Sequence, residues 1–220
     1  MHIVKKPFRI ISIILVIFLV ILTLLFGRAL PSLGIKNTSN KHSNNYLMIS
    51  SNIYYRQSIN NCAPYSVMAV INVLTQKEVD PEALSKEITW RIHKNLTFPQ
   101  GIIDLLHEYN IRTKEYNLFC LSDEEKIAWL KNAIDNGTPV IILLEIKHIK
   151  HYFTILGYDE FGFMIYDSLQ EKSKDNPKKT IIDNATYSGN RYYGNKQLMD
   201  LWDDGGYKIF FRNWAVACSL

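Results

Sequence analysis

The sequence predicts an α+β domain carried behind a single N-terminal membrane helix. Three observations predict it. Helical spacing dominates the first half of the body and strand-like runs the second, which argues for an antiparallel sheet rather than alternating βαβ units. An uncharged apolar run precedes both halves. The chain has 220 residues, 47% hydrophobic and 21% charged, enough for one cored domain with an extra segment.

The apolar run extends from Ile10 to Phe26 and is broken only by Ser12 and Thr23. As a helix it would reach about 25 Å, close to the thickness of a bilayer core. Lys5, Lys6 and Arg9 precede it and Arg28 follows. That asymmetry predicts a cytoplasmic N-terminus and a body on the extracytoplasmic side. A cleaved signal would have a shorter apolar region, ~7–15 residues, and a small-x-small site. Gly27-Arg28-Ala29 places an arginine within that site. An uncleaved anchor is therefore expected, with secretion as the alternative. No Leu-x-x-Cys ends the run, so a bacterial lipid anchor is not supported.

The expected organisation is an anchor over 1–28, a polar juxtamembrane linker over 29–50 and a folded domain over 51–220. The net charge of +4 fits this division. The first 28 residues hold four basic residues and no acid, which leaves 21 basic and 21 acidic residues in the remainder. A neutral body argues against nucleic-acid binding. No G-x-x-x-x-G-K-[ST] is present, so no nucleotide is expected.

Within the body, Ala63 to Leu74 has helical spacing, with Pro64 in the first turn. Asp80-Pro81 opens a second helix towards His93. Pro99 to Tyr109 forms a third, with Ile102, Ile103, Leu105 and Leu106 as its apolar face. Arg112 to Phe119 reads as a strand. Ser122 and Glu125 have capping-box spacing ahead of a helix that ends at Asn136-Gly137. Strands follow over 139–146, 151–158 and 162–167. Residues 168–194 read as a polar surface excursion. A short helix over 197–202, Gly205-Gly206 and a last strand over 207–216 complete the chain.

Cys62 stands immediately before the first of these helices. Free N–H groups and partial positive charge at a helix N-terminus make a thiol there more acidic than a free cysteine, and the thiolate is the nucleophile. A nucleophile needs a base. His151 begins one strand and Asp167 ends the next, sixteen residues on. A tight hairpin centred on Asp159 would set them opposite one another. The carboxylate would then fix the imidazole tautomer and support the imidazolium. Gln57, five residues before Cys62, can donate to a developing oxyanion beside the Cys62 backbone N–H.

The run Gln57…Asn61-Cys62-Ala63-Pro64-Tyr65-Ser66, then Gly137-x-Pro139, His151-Tyr152…Gly157-Tyr158-Asp159 and Asp167, resembles the papain-like cysteine peptidases related to the bacteriocin-processing, double-glycine leader peptidases. Leu198-x3-Trp202 before Gly205-Gly206 is similar to that family's tail. The resemblance covers roughly 50–217. It implies a papain-like fold, with a helical half bearing Cys62 and a sheet half bearing His151 and Asp167. It also implies that Cys62 is the nucleophile, His151 the base, Asp167 its orienter and Gln57 the oxyanion donor. The sequence departs from the family at four points. Asn61 and Ala63 flank the cysteine where Asp and Gly are usual. The glutamine is five rather than six residues before the cysteine. Ser168 stands where proline often follows the aspartate.

The expected activity is thus that of a membrane-anchored extracytoplasmic thiol peptidase acting on a peptide or protein substrate, with no cofactor. The alternatives are a non-catalytic peptide-binding or immunity module and an acyl-transferring relative. His148-x2-His151 lacks a third ligand for a catalytic zinc. Cys120 and Cys218 could pair outside a cell, but buried free thiols are the simpler expectation. Trp90, Trp129, Trp202 and Trp214 are expected in the core. The lysine-rich stretch 172–179 is expected to be a solvated loop. Asn37, Asn95 and Asn184 head glycosylation sequons.

Overall fold

The computed structural model describes residues 5–35, 41–183, 188–207 and 210–220. The sequons at Asn37 and Asn184 lie outside them. The first element, α1, is a helix over Lys5–Ala29. Its exposed side chains from Ile10 to Leu22 are apolar apart from Ser12. Among the described residues no helix is long and apolar enough to cross a membrane, the described side chains within α1 being those of residues 10–23 and 29.

The body is an antiparallel sheet with helices on both faces. In chain order the elements are β1 (Asn45–Tyr46), α2 (Cys62–Thr75), α3 (Pro81–Glu87), α4 (Pro99–Glu108), β2 (Arg112–Asn117), α5 (Asp123–Asp135), β3 (Val140–Ile146), β4 (Ile149–Tyr158), β5 (Gly162–Tyr166), β6 (Arg191–Gly194), α6 (Asn195–Asp203) and β7 (Trp214–Ser219). The strand order among the described residues is β2-β7-β3-β4-β5-β6, and β1 pairs with β4. This is the mixed helix and antiparallel-sheet fold that the sequence predicts.

Side-chain alternation along β3 divides the core. Ile141 and Leu143 join the apolar cluster under α2 and α4, with Tyr152 and Leu156 of β4. Val140, Ile142 and Leu144 join a second cluster with Trp129 of α5 and Leu198 and Trp202 of α6. A strand covered on both faces reads as an unbroken apolar run, which is what Val140 to Leu144 shows.

Several elements follow from local chemistry. Ser122 accepts from the Glu125 N–H at 3.3 Å, and Glu125 accepts from the Ser122 N–H at 2.8 Å, so both bonds of the capping box form. Asp80 caps α3 through the Glu82 N–H at 3.0 Å. Trp129, Trp202 and Trp214 are buried, and the Trp202 indole donates to the Trp214 carbonyl at 3.0 Å.

Other expectations are corrected. The helix opened by Pro81 ends at Glu87 instead of running towards His93. Ile88 is extended and caps the helix by donating to the Leu84 carbonyl, and Ile88-Thr89 are β-branched residues that suit that backbone. Trp90 is 58% exposed on the following loop. The excursion after Asp167 returns to the sheet as β6, where Tyr193 pairs with Phe163. The last strand starts at Trp214 and reaches Ser219, and Tyr207 and Phe210 form only an isolated bridge before it.

Residues ahead of Ser51 are tied to the body. The Ser32 N–H donates to the Asn117 carbonyl at 2.9 Å, and the Asn117 N–H returns to the Ser32 hydroxyl at 2.9 Å. The Lys41 N–H meets Asp135, and Asn45 and Tyr46 pair with Tyr158 and Gly157.

Gly205 makes the tightest approach near the site. A Cβ there would lie 2.2 Å from the Leu143 carbonyl oxygen and 2.8 Å from Leu144 Cα. Gly205→Ala must therefore displace β3 or α6, and overpacking of this kind costs about 1–3 kcal/mol. Denaturant unfolding is expected to show that loss, and an unchanged midpoint would contradict the packing described here.

Candidate active site

Cys62 is the first residue of α2, and Pro64 occupies the first turn, where its missing N–H breaks no helical bond. The helix is held against the sheet beside the site. The Ser66 hydroxyl donates to the Tyr152 carbonyl at 3.3 Å, and the Thr154 hydroxyl donates to the Ser66 carbonyl at 3.2 Å. The backbone one residue from His151 is thus bonded to the same helix that starts with Cys62.

His151 and Asp167 meet, but not by the predicted register. Thr154 lies opposite Tyr166 and Ile155 opposite Ile165, with a bulge between Ile155 and Gly157. Continued outward, that register sets Phe153, not His151, opposite Asp167. His151 is the diagonal neighbour, a separation that long side chains bridge. Its Nε2 lies 2.8 Å from Asp167 Oδ1, with both side chains buried. The ring also packs edge-on against Phe153, with centroids 5.1 Å apart.

This contact distinguishes the two ring nitrogens. Nε2 is engaged by Asp167, so Nδ1 remains. Nδ1 is buried and has no partner of good hydrogen-bond geometry among the described residues. Cys62 lines the same cavity as His151, and its sulfur is near enough to raise the imidazole pKa. Burial alone would lower that pKa. Hydrogen bonding and charge from Asp167 and Cys62 outweigh it and raise the ring to about 9. Burial would likewise raise the Asp167 carboxyl, but His151 and Arg191 hold it below its ordinary value.

Asp167 is fixed on every side. Arg191 Nη1 donates to Oδ2 at 2.7 Å, and the Leu169 N–H donates to Oδ1 at 2.7 Å. The Asn190 side chain accepts from the Asp167 N–H and donates to its carbonyl, both at 2.8 Å. Arg191 and Asn190 escaped the sequence reading because they lie in what reads as a featureless polar excursion.

Gln57 is 7% exposed and lines the cavity with Cys62 and His151. Its N–H donates to the Ser168 carbonyl at 2.9 Å, and its Oε1 accepts from the Ser168 hydroxyl at 2.6 Å. No described residue accepts from its Nε2. The five-residue spacing is thus accommodated, and Gln57, Cys62, His151 and Asp167 are brought to one site.

Asn61 is also employed. Its Oδ1 accepts from the Arg91 guanidinium and from the Ser85 hydroxyl. Arg91 further donates to the Ser85 carbonyl at 2.8 Å. Burial lowers the Arg91 pKa, while the charges of Cys62 and Glu82 oppose that change. A cation is therefore seated near the cysteine, on a loop where Asp80-Pro81 leads the sequence to predict a helix.

The cavity measures about 380 Å³, and Leu96, Leu143, Ile149 and Tyr207 supply apolar wall. His148 is fully exposed and lies 3.3 Å from Glu145, away from the buried His151. No metal-binding cluster occurs among the described residues. All three cysteines are unpaired, with Cys62 and Cys218 buried and Cys120 exposed.

Residues 49–198 match the Peptidase_C39-like family. A Bacillus anthracis protein whose crystal structure is described as that of a C39-like peptidase shares the fold at a TM-score of 0.52. It has 14% identity, over 80% of this chain and 98% of its own. The peptidase domain of Streptococcus ComA, a bifunctional ABC transporter of a quorum-sensing pathway, aligns at a TM-score of 0.45. It also has 14% identity, over 81% of this chain and 98% of its own. No curated protein matches the chain. The matched region holds Gln57, Cys62, His151 and Asp167, and the chain belongs to the Peptidase_C39-like family as a cysteine peptidase.

Proposed function

We propose that the chain is a membrane-anchored extracytoplasmic cysteine peptidase that cleaves a peptide bond through an acyl-enzyme on Cys62. One observation carries the reading: His151 lines the same cavity as Cys62, with Nε2 held by Asp167 and Nδ1 without a partner of good hydrogen-bond geometry among the described residues.

In this mechanism the thiolate attacks the scissile carbonyl carbon. A C–S bond forms and the carbonyl π electrons move to oxygen. Gln57 Nε2 and the Cys62 backbone N–H donate to that oxyanion. Collapse restores the carbonyl and breaks the C–N bond, and the leaving amine takes a proton from His151 Nδ1. Nδ1 then accepts a proton from water as the water adds to the thioester. Expulsion of sulfur releases the carboxylic acid and restores the thiolate–imidazolium pair. Asp167 orients the ring and supports its positive charge without itself taking a proton. Arg91 adds favourable charge near the thiolate.

The anchor rests on the sequence. An apolar run over 10–26, flanked by Lys5, Lys6, Arg9 and Arg28, favours a cytoplasmic N-terminus and an outer body.

The catalytic role is checked with p-nitrophenyl acetate, an activated ester that needs no knowledge of the natural substrate. The native chain should release a burst of p-nitrophenol and carry one acetyl group on Cys62 by peptide mass mapping. Cys62→Ala should abolish both, and a burst that survives would refute the nucleophile. The anchor is checked by alkaline carbonate washing of membranes from expressing cells. The protein should stay in the pellet with residues 1–28 intact, whereas a soluble chain beginning near residue 30 would identify a cleaved signal.

A further inference from the structure

We propose that Ser168 is a positioning residue for the oxyanion donor: its hydroxyl sets which end of the Gln57 amide faces Cys62. The proposal rests on the reading of Gln57 as that donor.

A glutamine amide has an accepting end and a donating end of nearly equal size, and rotation by a half-turn exchanges them. An oxyanion is stabilised only by the donating end. Misplaced, the oxygen would repel the developing charge. A glutamine beside a nucleophile is therefore useful only when something fixes its sense. Here the Ser168 hydroxyl donates to Gln57 Oε1 at 2.6 Å. No other described acceptor takes the Ser168 hydroxyl hydrogen, so in the reversed amide Nε2 would donate to the Ser168 oxygen but the buried hydroxyl hydrogen would be left without an acceptor. Ser168 is 1% exposed, and water cannot readily replace it there. The Gln57 N–H binds the Ser168 carbonyl at 2.9 Å, so the same residue holds both the main chain and the side chain of Gln57.

Ser168 directly follows Asp167, whose carboxylate holds His151 at 2.8 Å. One dipeptide thus orients the base with its first side chain and the oxyanion donor with its second. The two halves of the reaction are set by adjacent residues of the segment leaving β5. Where the resembled family often has proline after the aspartate, a ring without a donor could not perform this task.

The arrangement separates two reactions of the same thiol. Ester acylation passes through a tetrahedral oxyanion. Alkylation by iodoacetamide displaces iodide and needs no oxyanion donor. Acylation by p-nitrophenyl acetate and alkylation by iodoacetamide are therefore measured side by side on the full chain.

Ser168→Ala should slow acylation about tenfold, with folding intact by thermal melting, because it weakens the orientation but leaves the amide. Gln57→Ala should lose more, towards the ~10²–10³ typical of a missing oxyanion donor. The alkylation rate of Cys62, read by peptide mapping, should be unchanged in both. Ser168→Thr keeps the hydroxyl and should restore most of the acylation rate. Gln57→Glu can still accept from Ser168 but cannot donate and turns an oxygen towards the developing charge, so it should be at least as slow as Gln57→Ala. In the Gln57→Ala background, Ser168→Ala should have no further effect.

Equal losses from Ser168→Ala with and without Gln57 would overturn the proposal, as would a parallel fall in alkylation or a failure of Ser168→Thr to rescue. If Gln57→Ala slows acylation and Ser168→Ala does not, the donor role stands and the positioning role is refuted. If Gln57→Ala leaves acylation unchanged, the donor role itself is wrong and the proposal falls with it.

Discussion

Taking a carboxylate and an imidazole out of water together is unfavourable unless each becomes the other's solvent. His151 and Asp167 meet that condition at 2.8 Å, with side chains 1% and 0% exposed. Much of the surrounding structure serves this pair. Arg191 occupies the second carboxylate oxygen, and the Leu169 N–H shares the first. Asn190 braces the Asp167 backbone in both directions. With the carboxylate ionised and fixed, the ring is held by Nε2, and Nδ1 is the nitrogen left for the proposed chemistry.

The fold supplies the third dimension of the site. The sheet carries His151, and α2 carries Cys62. The paired bonds of Ser66 and Thr154 bind that helix to β4 close to the histidine. The cysteine thus reaches the cavity from a helix N-terminus, where unpaired N–H groups can support a thiolate and, beside it, an oxyanion. Gln57 is tied to Ser168, on the segment that holds Asp167. Each group of the proposed mechanism is attached to another through the framework, which suits chemistry that loses efficiency with small displacements.

The groups of the site were legible because they are chemically rare in their settings. A cysteine ahead of Ala-Pro at a helix start, and a histidine sixteen residues before an aspartate, stand out against an apolar background. What brings them together was less legible. The hairpin arithmetic centres the turn on Asp159, whereas Tyr158 pairs with Phe163, so the turn centres between Glu160 and Phe161. The bulge between Ile155 and Gly157 recovers only one residue of that offset, and His151 meets Asp167 on the diagonal. Arg191, Asn190 and Arg91 act through contacts far apart in sequence, which no periodicity encodes. Ser168 and Asn61, which look like losses relative to the family, hold Gln57 and Arg91 in place. The length of α3 is not legible at Pro81, because a proline marks where a helix opens but not where it closes. Ile88 ended it by taking an extended backbone.

The central claim is that His151 is protonated and held by Asp167 across the working pH range, with Nδ1 turned to Cys62. Nitrogen-detected NMR of the ¹⁵N-histidine-labelled chain measures this directly, with His151→Gln assigning the resonance. A ring raised to about 9 should remain imidazolium through pH 8 and lose its proton near pH 9. In Asp167→Asn it should deprotonate at a lower pH, because the charge that supports the imidazolium is gone. A His151 ring that is already neutral at pH 7, or that titrates identically with and without Asp167, would contradict the account.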